Sequence, residues 1–494
     1  MSERVALIVA SNRGPVTFER DERGDLRARR GSGGLVTALT GALHEAEGLW
    51  VAAAMSDEDR AAVRASPGGV IDMRAHGSAY RLRYLDIPAE VYDGFYNRIS
   101  NGVLWFAHHY LWDAARTPTF GDDDERAWSD YVEVNGRFAQ ALAEEGGRQA
   151  GRPVYLVQDY HLALVPRMLR ELYPDALIAH FSHTSMAGLT YLRILPTRMH
   201  DALLRGMVGA DVLGFHSQTW AENFLMSARS LSGVRTDLAR ARIRVDGRDV
   251  AVRIHPISVD GAAMRESAAE PEARRRRREL NRRRGSERLI LRVDRLELSK
   301  NLVRGFQAYE LFLRREPSWR GRVRFLALLS PSRMELEAYR TYTDECVAEA
   351  ERVNDELGED DWTPIEIHVK DDYLGAVAAY GVYDVLFVNP VFDGMNLVAM
   401  EGPLLNRAHG VLVLSRNAGA FGRLGRYALA VNPFDIGEMA EALRAALEMP
   451  LDERQRRARG LSRLVLANPP ERWVRGQLED LERARRRRPV AQTS

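Results

Sequence analysis

The chain has 494 residues, 45% of them apolar, and a formal net charge of +1 from 70 basic and 69 acidic side chains. That length suggests two or three domains with ample cores, and the charge balance excludes a dedicated nucleic-acid binder. A single cysteine, Cys346, excludes an internal disulfide and a Cys-rich metal site, and no run reaches the ~18 uninterrupted apolar residues of a membrane span.

In chain order, residues 5–11 read as a strand, and the apolar run in "MSERVALIVASNRG" is too short for a signal peptide. A cytoplasmic protein without a membrane partner is expected. "VTFERDERGDLRARRGSGGL" reads as a polar hairpin turning near Arg23-Gly24, then a Gly-rich loop and a helix from about Leu35. "FGDDDERAW" places Asp122, Asp123 and Asp124 in a polar stretch, read as a solvated loop or helix start rather than a metal site. Strands follow at 153–158, 176–183 and 211–216, with helical patterns between them. "RIRVDGRDVAVRI" is a hairpin whose Asp246-Gly247 pair suits a tight turn.

"HPISVDGAAM" breaks the alternation, which marks a hinge near 257–265. "EARRRRRELNRRRG" (272–285) and "RARRRR" (483–488) read as solvated helix faces and a tail, not nucleic-acid contacts. Strands then recur at 288–293, 322–330, 364–369, 383–390, 410–415 and 428–433. Cys346, beside Asp344 and Glu345, reads as a structural thiol. Strand–helix alternation of this kind gives doubly wound parallel sheets, so the fold class is α/β with two Rossmann-like domains. Ligands of such sheets bind at the carboxyl ends of strands, and the inter-domain cleft is the expected active site.

Polar clusters stand at these strand ends: "SNRG" (11–14), "QDYH" (158–161), "SHTS" (182–185), "DRLELSKN" (294–301), "SPSR" (330–333) and "DGMN" (393–396). Arg295 and Lys300 sit five apart across a turn, where two cations bind a pyrophosphate and stabilise it as a leaving group; a surface salt bridge to Glu297 is the plainer alternative. Gly394 allows close backbone approach, and the amides of Met395, Asn396 and Leu397 are expected to open a helix pointing at an anion. Asp393 either holds a sugar hydroxyl or caps that helix. Glu401, about two turns in, is placed to accept hydrogen bonds from ribose hydroxyls. The patterns of P-loops, GxGxxG dinucleotide sites, HExxH zinc sites and CxxC pairs are all missing from the sequence.

These motifs, with "GSGGL", "YNRISNGVLWFAHHY", "LPTR", "LGFH" and "DGMNLVAMEGPL", resemble the retaining glycosyltransferases of the trehalose-6-phosphate synthase family (glycosyltransferase family 20), and the pattern "DRxxxSKN" with the hairpin at 17–30 is similar to its actinobacterial branch. The resemblance implies a GT-B fold: an acceptor-binding domain at 1–258, a nucleotide-sugar-binding domain at 259–471, and a helix at about 472–488 packing back on the first. For the acceptor, glucose 6-phosphate, it implies Arg13, Tyr96, Trp105, Asp159 and Arg333. For the donor it implies Gly33, Gly34, His183, Arg295, Lys300, Asp393, Gly394, Met395, Asn396, Leu397, Val398 and Glu401, with Arg295, Lys300, Asp159, His183 and Asp393 carrying catalysis. It implies no metal and no cofactor. The donor substrate is GDP-glucose or UDP-glucose, and a second copy of the chain is the one macromolecular partner left open. His183-Thr184-Ser185-Met186-Ala187 replaces the family's usual His-Ile-Pro-x-Pro, and Glu297 and Asn301 stand where the family often has Asp and Gly. The first of these departures keeps an alternative open, a pseudo-glycosyltransferase that couples a nucleotide-cyclitol to an amino-cyclitol phosphate.

Overall fold

The computed structural model describes residues 6–30, 34–46, 48–149 and 151–487. Gly33, one of the expected donor contacts, lies outside them. The chain forms two compact units, one from the residues up to Ile257 together with those from Pro470 onward, the other from Ser258–Pro469.

The first unit is built on a ten-stranded sheet. Its strands are β1 (Leu7–Arg13), β4 (Leu49–Ala53), β5 (Val70–Asp72), β6 (Arg81–Leu85), β7 (Val154–Gln158), β8 (Leu177–Phe181), β9 (Val212–Phe215), β10 (Arg235–Asp237), β11 (Arg242–Val245) and β12 (Arg248–Ile254). The remaining two, β2 (Val16–Arg20) and β3 (Leu26–Arg30), form the separate antiparallel hairpin expected from sequence. The sheet order is β10-β11-β12-β9-β8-β7-β1-β4-β6-β5. From β12 to β6 the strands run parallel to one another, and β11 and β5 pair antiparallel to the outer members β12 and β6. The central strands β1, β4, β7, β8 and β9 are almost wholly buried, as strands covered by helices on both faces must be. β4 and β6 were not expected from sequence. "LWVAA" is a short apolar run inside a longer one, and "RLRYL" alternates charge with apolar side chains, so neither stands out.

Pro470–Arg487 is a helix of this same unit. Trp473 is 1% exposed and packs edge-on to Phe181 at 5.0 Å. Asp480 accepts from His255 Nε2 at 2.8 Å and Arg253 Nε at 3.2 Å. Burial pushes the Asp480 carboxyl up, but these partners outweigh it and hold the group below its usual range.

The second unit carries six parallel strands: β13 (Arg288–Arg295), β14 (Val323–Ser330), β15 (Ile365–Val369), β16 (Val385–Val388), β17 (Val411–Ser415) and β18 (Leu429–Val431). Their order, β15-β14-β13-β16-β17-β18, is the doubly wound 3-2-1-4-5-6 arrangement, and the core of the first sheet (β6-β4-β1-β7-β8-β9) repeats it. In that order the strand sequence reverses between the first and fourth strands, which opens a crevice at their carboxyl ends. The crevices therefore lie beyond β1/β7 in the first unit and β13/β16 in the second. Cys346 is buried inside the second core and its thiol is pushed up to about 12, chiefly by burial.

Candidate active site

In the first unit, Arg13 ends β1 and Asp159 follows β7, so both flank the crevice. Asp159 has φ 70° and ψ 170°, a region that side-chain-bearing residues rarely enter and that costs on the order of 1–3 kcal/mol. Several bonds enforce it. Asp159 N donates to Phe181 O at 2.7 Å, and His180 Nε2 lies 3.1 Å from Asp159 O. The carboxylate accepts from His183 N at 3.1 Å and lies 3.8 Å from His161 Nδ1. His183 follows β8, with its Nε2 3.0 Å from Gln158 Oε1 and its ring 5.4 Å from Trp473. Burial, then the neighbouring imidazoles of His216, His180 and His161, hold its pKa well below the usual range, so the ring is neutral near pH 7.

Arg13 Nη2 donates to Tyr96 OH at 2.9 Å, and the Tyr96 ring stacks on Tyr92 at 5.4 Å and on His161 at 5.8 Å. Tyr96 belongs to a π-helical stretch, Gly94–Leu104, which continues into a short α-helix starting at Trp105. The wider turn is a feature that hydrophobic periodicity cannot reveal, and such stretches recur at functional sites. Trp105 is mostly buried, stacked on His109 at 3.9 Å. Gly34 opens the helix Gly34–Ala46. In the altered segment, Ser185 Oγ donates to His108 O and Asn223 Nδ2 to Met186 O, both at 2.7 Å. The Asp122–Asp124 run is the first turn of the helix Asp122–Gly147. Asp124 takes Arg98 Nε and the Gly121 amide, each at 2.9 Å, and Asp123 pairs with Arg126. The Asp123 and Asp124 carboxylates are thus held by these partners.

In the second unit, Arg295 is the last residue of β13, Lys300 ends the following 3₁₀ turn, and Asp393 follows β16. Lys300 Nζ lies 2.6 Å from Asp393 Oδ2 and 3.4 Å from Asp294 Oδ1. Burial opposes the ammonium charge, but these two carboxylates outweigh it and raise the pKa, so Lys300 is a fixed cation. Arg295 pairs with Glu297 at 2.7 Å, but Glu297 is buried, so the contact is not the surface salt bridge of the plainer alternative. Arg333, just beyond β14, has φ 47° and also reaches Glu297, at 2.6 Å.

The loop after β16 corrects three expectations. The helix runs Val398–Leu405, so Met395, Asn396 and Leu397 precede it rather than form its first turn. Glu401 therefore sits one turn in. Asp393 is not the cap: Asn396, at φ 72°, takes the Ala399 amide on its own side-chain oxygen at 3.2 Å and donates to Asp393 Oδ2 at 3.0 Å. The local reason is that this loop pairs with the one after β17. Asp393 N donates to Asn417 O at 3.2 Å, Gly419 N to Asp393 O at 3.0 Å and Ala420 N to Met395 O at 2.9 Å. Glu401 Oε2 accepts from Tyr380 OH at 2.9 Å, and burial raises the Glu401 pKa. Sequence reasoning missed Tyr380, Asp294 and Gln158 as partners of the expected residues. Gln158 and Asp294 lay inside the polar clusters already noted, whereas Tyr380 carries no local signal.

Comparison with known proteins supplies the identity. The sequence pattern described as Glycosyltransferase family 20 matches residues 5–483. The chain belongs to glycosyltransferase family 20. It is 35% identical to a trehalose-6-phosphate synthase of Mycobacterium avium (strain 104), over 96% of this chain and 94% of that one. It is also similar to the crystal structure of an alpha,alpha-trehalose-phosphate synthase (UDP-forming) from Burkholderia vietnamiensis, with a TM-score of 0.83, 30% identity, and coverage of 97% of this chain and 100% of the other. The corresponding Burkholderia xenovorans structure, in complex with glucose-6-phosphate, gives 0.80 and 30% with the same coverage. This family 20 chain is thus a glycosyltransferase of the trehalose-6-phosphate synthase kind with the GT-B fold. Among the described residues no helix is long and apolar enough to cross a membrane.

Proposed function

We propose that this enzyme makes trehalose 6-phosphate by transferring glucose, with retention, from UDP-glucose or GDP-glucose to glucose 6-phosphate. The observation that carries the reading is the Lys300–Asp393 pair at the β13/β16 crevice, 2.6 Å long, with Arg295 at the end of the same strand. Arg295 and Lys300 take the donor diphosphate, Asp393 and His183 the transferred glucose, Gly394–Val398 the phosphate and sugar through their backbone, and Glu401 the ribose. Arg13, Tyr96, Trp105, Asp159 and Arg333 take glucose 6-phosphate. The bond from the anomeric carbon to the diphosphate oxygen breaks as the acceptor hydroxyl attacks from the same face. The hydroxyl proton passes to the departing phosphate oxygen, and the two cations hold the charge that develops there.

The relatives' descriptions favour this reading over the cyclitol one, and the term UDP-forming favours UDP-glucose. The test is a panel of UDP-, GDP- and ADP-glucose with glucose 6-phosphate, read as released nucleotide and as the disaccharide phosphate. Product from a glucose donor is expected; turnover only with cyclitol substrates would replace the proposal. EDTA is expected to leave the rate intact, because the leaving-group charge is met by side-chain cations. Loss on chelation with recovery on Mg²⁺ or Mn²⁺ would move that role to a metal.

A further inference from the structure

Glu297 is fully buried, yet it is the meeting point of two groups assigned above to different ligands. Its Oε1 accepts from Arg295 Nη1 at 2.7 Å, from Arg333 Nη1 at 2.6 Å and from Ser332 Oγ at 2.8 Å. Burial pushes this carboxyl up, but Arg295, Arg333 and Lys300 outweigh it and hold it below its usual range, so it stays ionised. Arg333 is the more tightly placed of the two. Its backbone is left-handed, and its guanidinium lies 5.5 Å from the centre of the Tyr339 ring. Arg295 is half-exposed, at 49%, and pairs with Glu297.

We propose that Glu297 is a positioning residue that sets both phosphate-binding arginines at once, Arg295 for the donor diphosphate and Arg333 for the acceptor phosphate. The proposal rests on the ligand assignments of the preceding section. An arginine side chain left free loses rotamer freedom when it grips an anion. One carboxylate oxygen that holds two guanidinium groups removes that loss from both ligands beforehand. Because Glu297 is enclosed, it does this without touching either ligand.

The test is titration calorimetry on the whole chain, with UDP and GDP as donor-side probes and glucose 6-phosphate as acceptor-side probe. Arg295→Ala is expected to weaken the nucleotide alone, and Arg333→Ala the sugar phosphate alone. Glu297→Gln, which keeps an accepting oxygen and removes the charge, is expected to weaken both by about 5-fold or more. Its effect on nucleotide binding should shrink toward nothing in the Arg295→Ala background, and its effect on glucose 6-phosphate should shrink likewise in the Arg333→Ala background. Glu297→Asp, the residue the family often has here, keeps the charge and is expected to retain both affinities; if the Gln variant does not fold, Glu297→Ser, which removes the charge and leaves room for water, carries the test with the same expected pattern. Unchanged or tighter binding of both probes by the uncharged variant, or fold-changes that simply multiply in both double variants, overturns the positioning role. If neither arginine variant alters either probe, the ligand assignments themselves fail, and the role of Glu297 fails with them.

Discussion

Lys300 shows what one side chain contributes. Its ammonium is buried between Asp393 and Asp294, so removing it strands two carboxylates and, on the proposed diphosphate assignment, costs leaving-group stabilisation. Lys300→Ala is expected to lower turnover by about 10²–10³-fold, measured as kcat with saturating substrates. A variant within a few-fold of wild type would end the diphosphate assignment. Glu401 sets a second residue-scale expectation. Its folded pKa is raised by burial, so the folded state holds that proton more tightly than the unfolded chain does. The resulting stability is full below the ordinary carboxylate range of about 4.3 and is lost as pH rises through the raised value. Glu401→Gln lacks this dependence. Its Tm relative to wild type should therefore climb across that window while its affinity for the nucleotide sugar falls, and a Tm difference that stays flat with pH would contradict the buried-acid reading. The Arg295/Lys300 pair stands out in the sequence because two cations follow an apolar run across a turn, and the diphosphate role read from it belongs to the proposed function. The Tyr380–Glu401 contact was not legible there, since its members lie 21 positions apart on separate helices.

The loops after β16 and β17 act as one element. They are joined by three backbone hydrogen bonds and a bridge between Asp393 and Ala418. Gly419 permits the approach, since a Cβ there would sit 1.9 Å from Gly394 O. That contact cannot be relieved by turning a side chain, so the backbone carrying Asp393 must shift. Gly419→Ala is expected to lower kcat and raise the donor KM by tenfold or more each, about the consequence of a 1 Å misplacement, with the KM for glucose 6-phosphate little changed. An unaltered donor KM would show that the loop adapts. At this scale the sequence was readable where a strand is a bounded apolar run or a turn is Asp-Gly. It was unreadable where tertiary pairing decides. The helix begins at Val398 rather than Met395 because the neighbouring loop takes the preceding residues, and the π-helical turn at Gly94–Leu104 has no period that single-sequence reasoning recognises.

At the scale of the molecule, the chain leaves the first unit at Ile257 and re-enters it at Pro470, and the returning helix completes a core. Trp473→Ala is expected to destabilise the first unit by about 3–5 kcal/mol, read by denaturant unfolding of that unit's transition. The second unit, which has its own core, should unfold as before. Loss of both transitions together would mean that the two units share one cooperative fold. The same return path has a consequence in time. Residues up to 257 leave the ribosome first, but Phe181 and His183 obtain their cover only when Trp473 emerges, after the whole of Ser258–Pro469. At about 5–20 residues per second, that interval is about 10–40 s. For that time the nascent first unit carries an uncovered aromatic face beside the strained Asp159, and it is during this delay that a chaperone would find it.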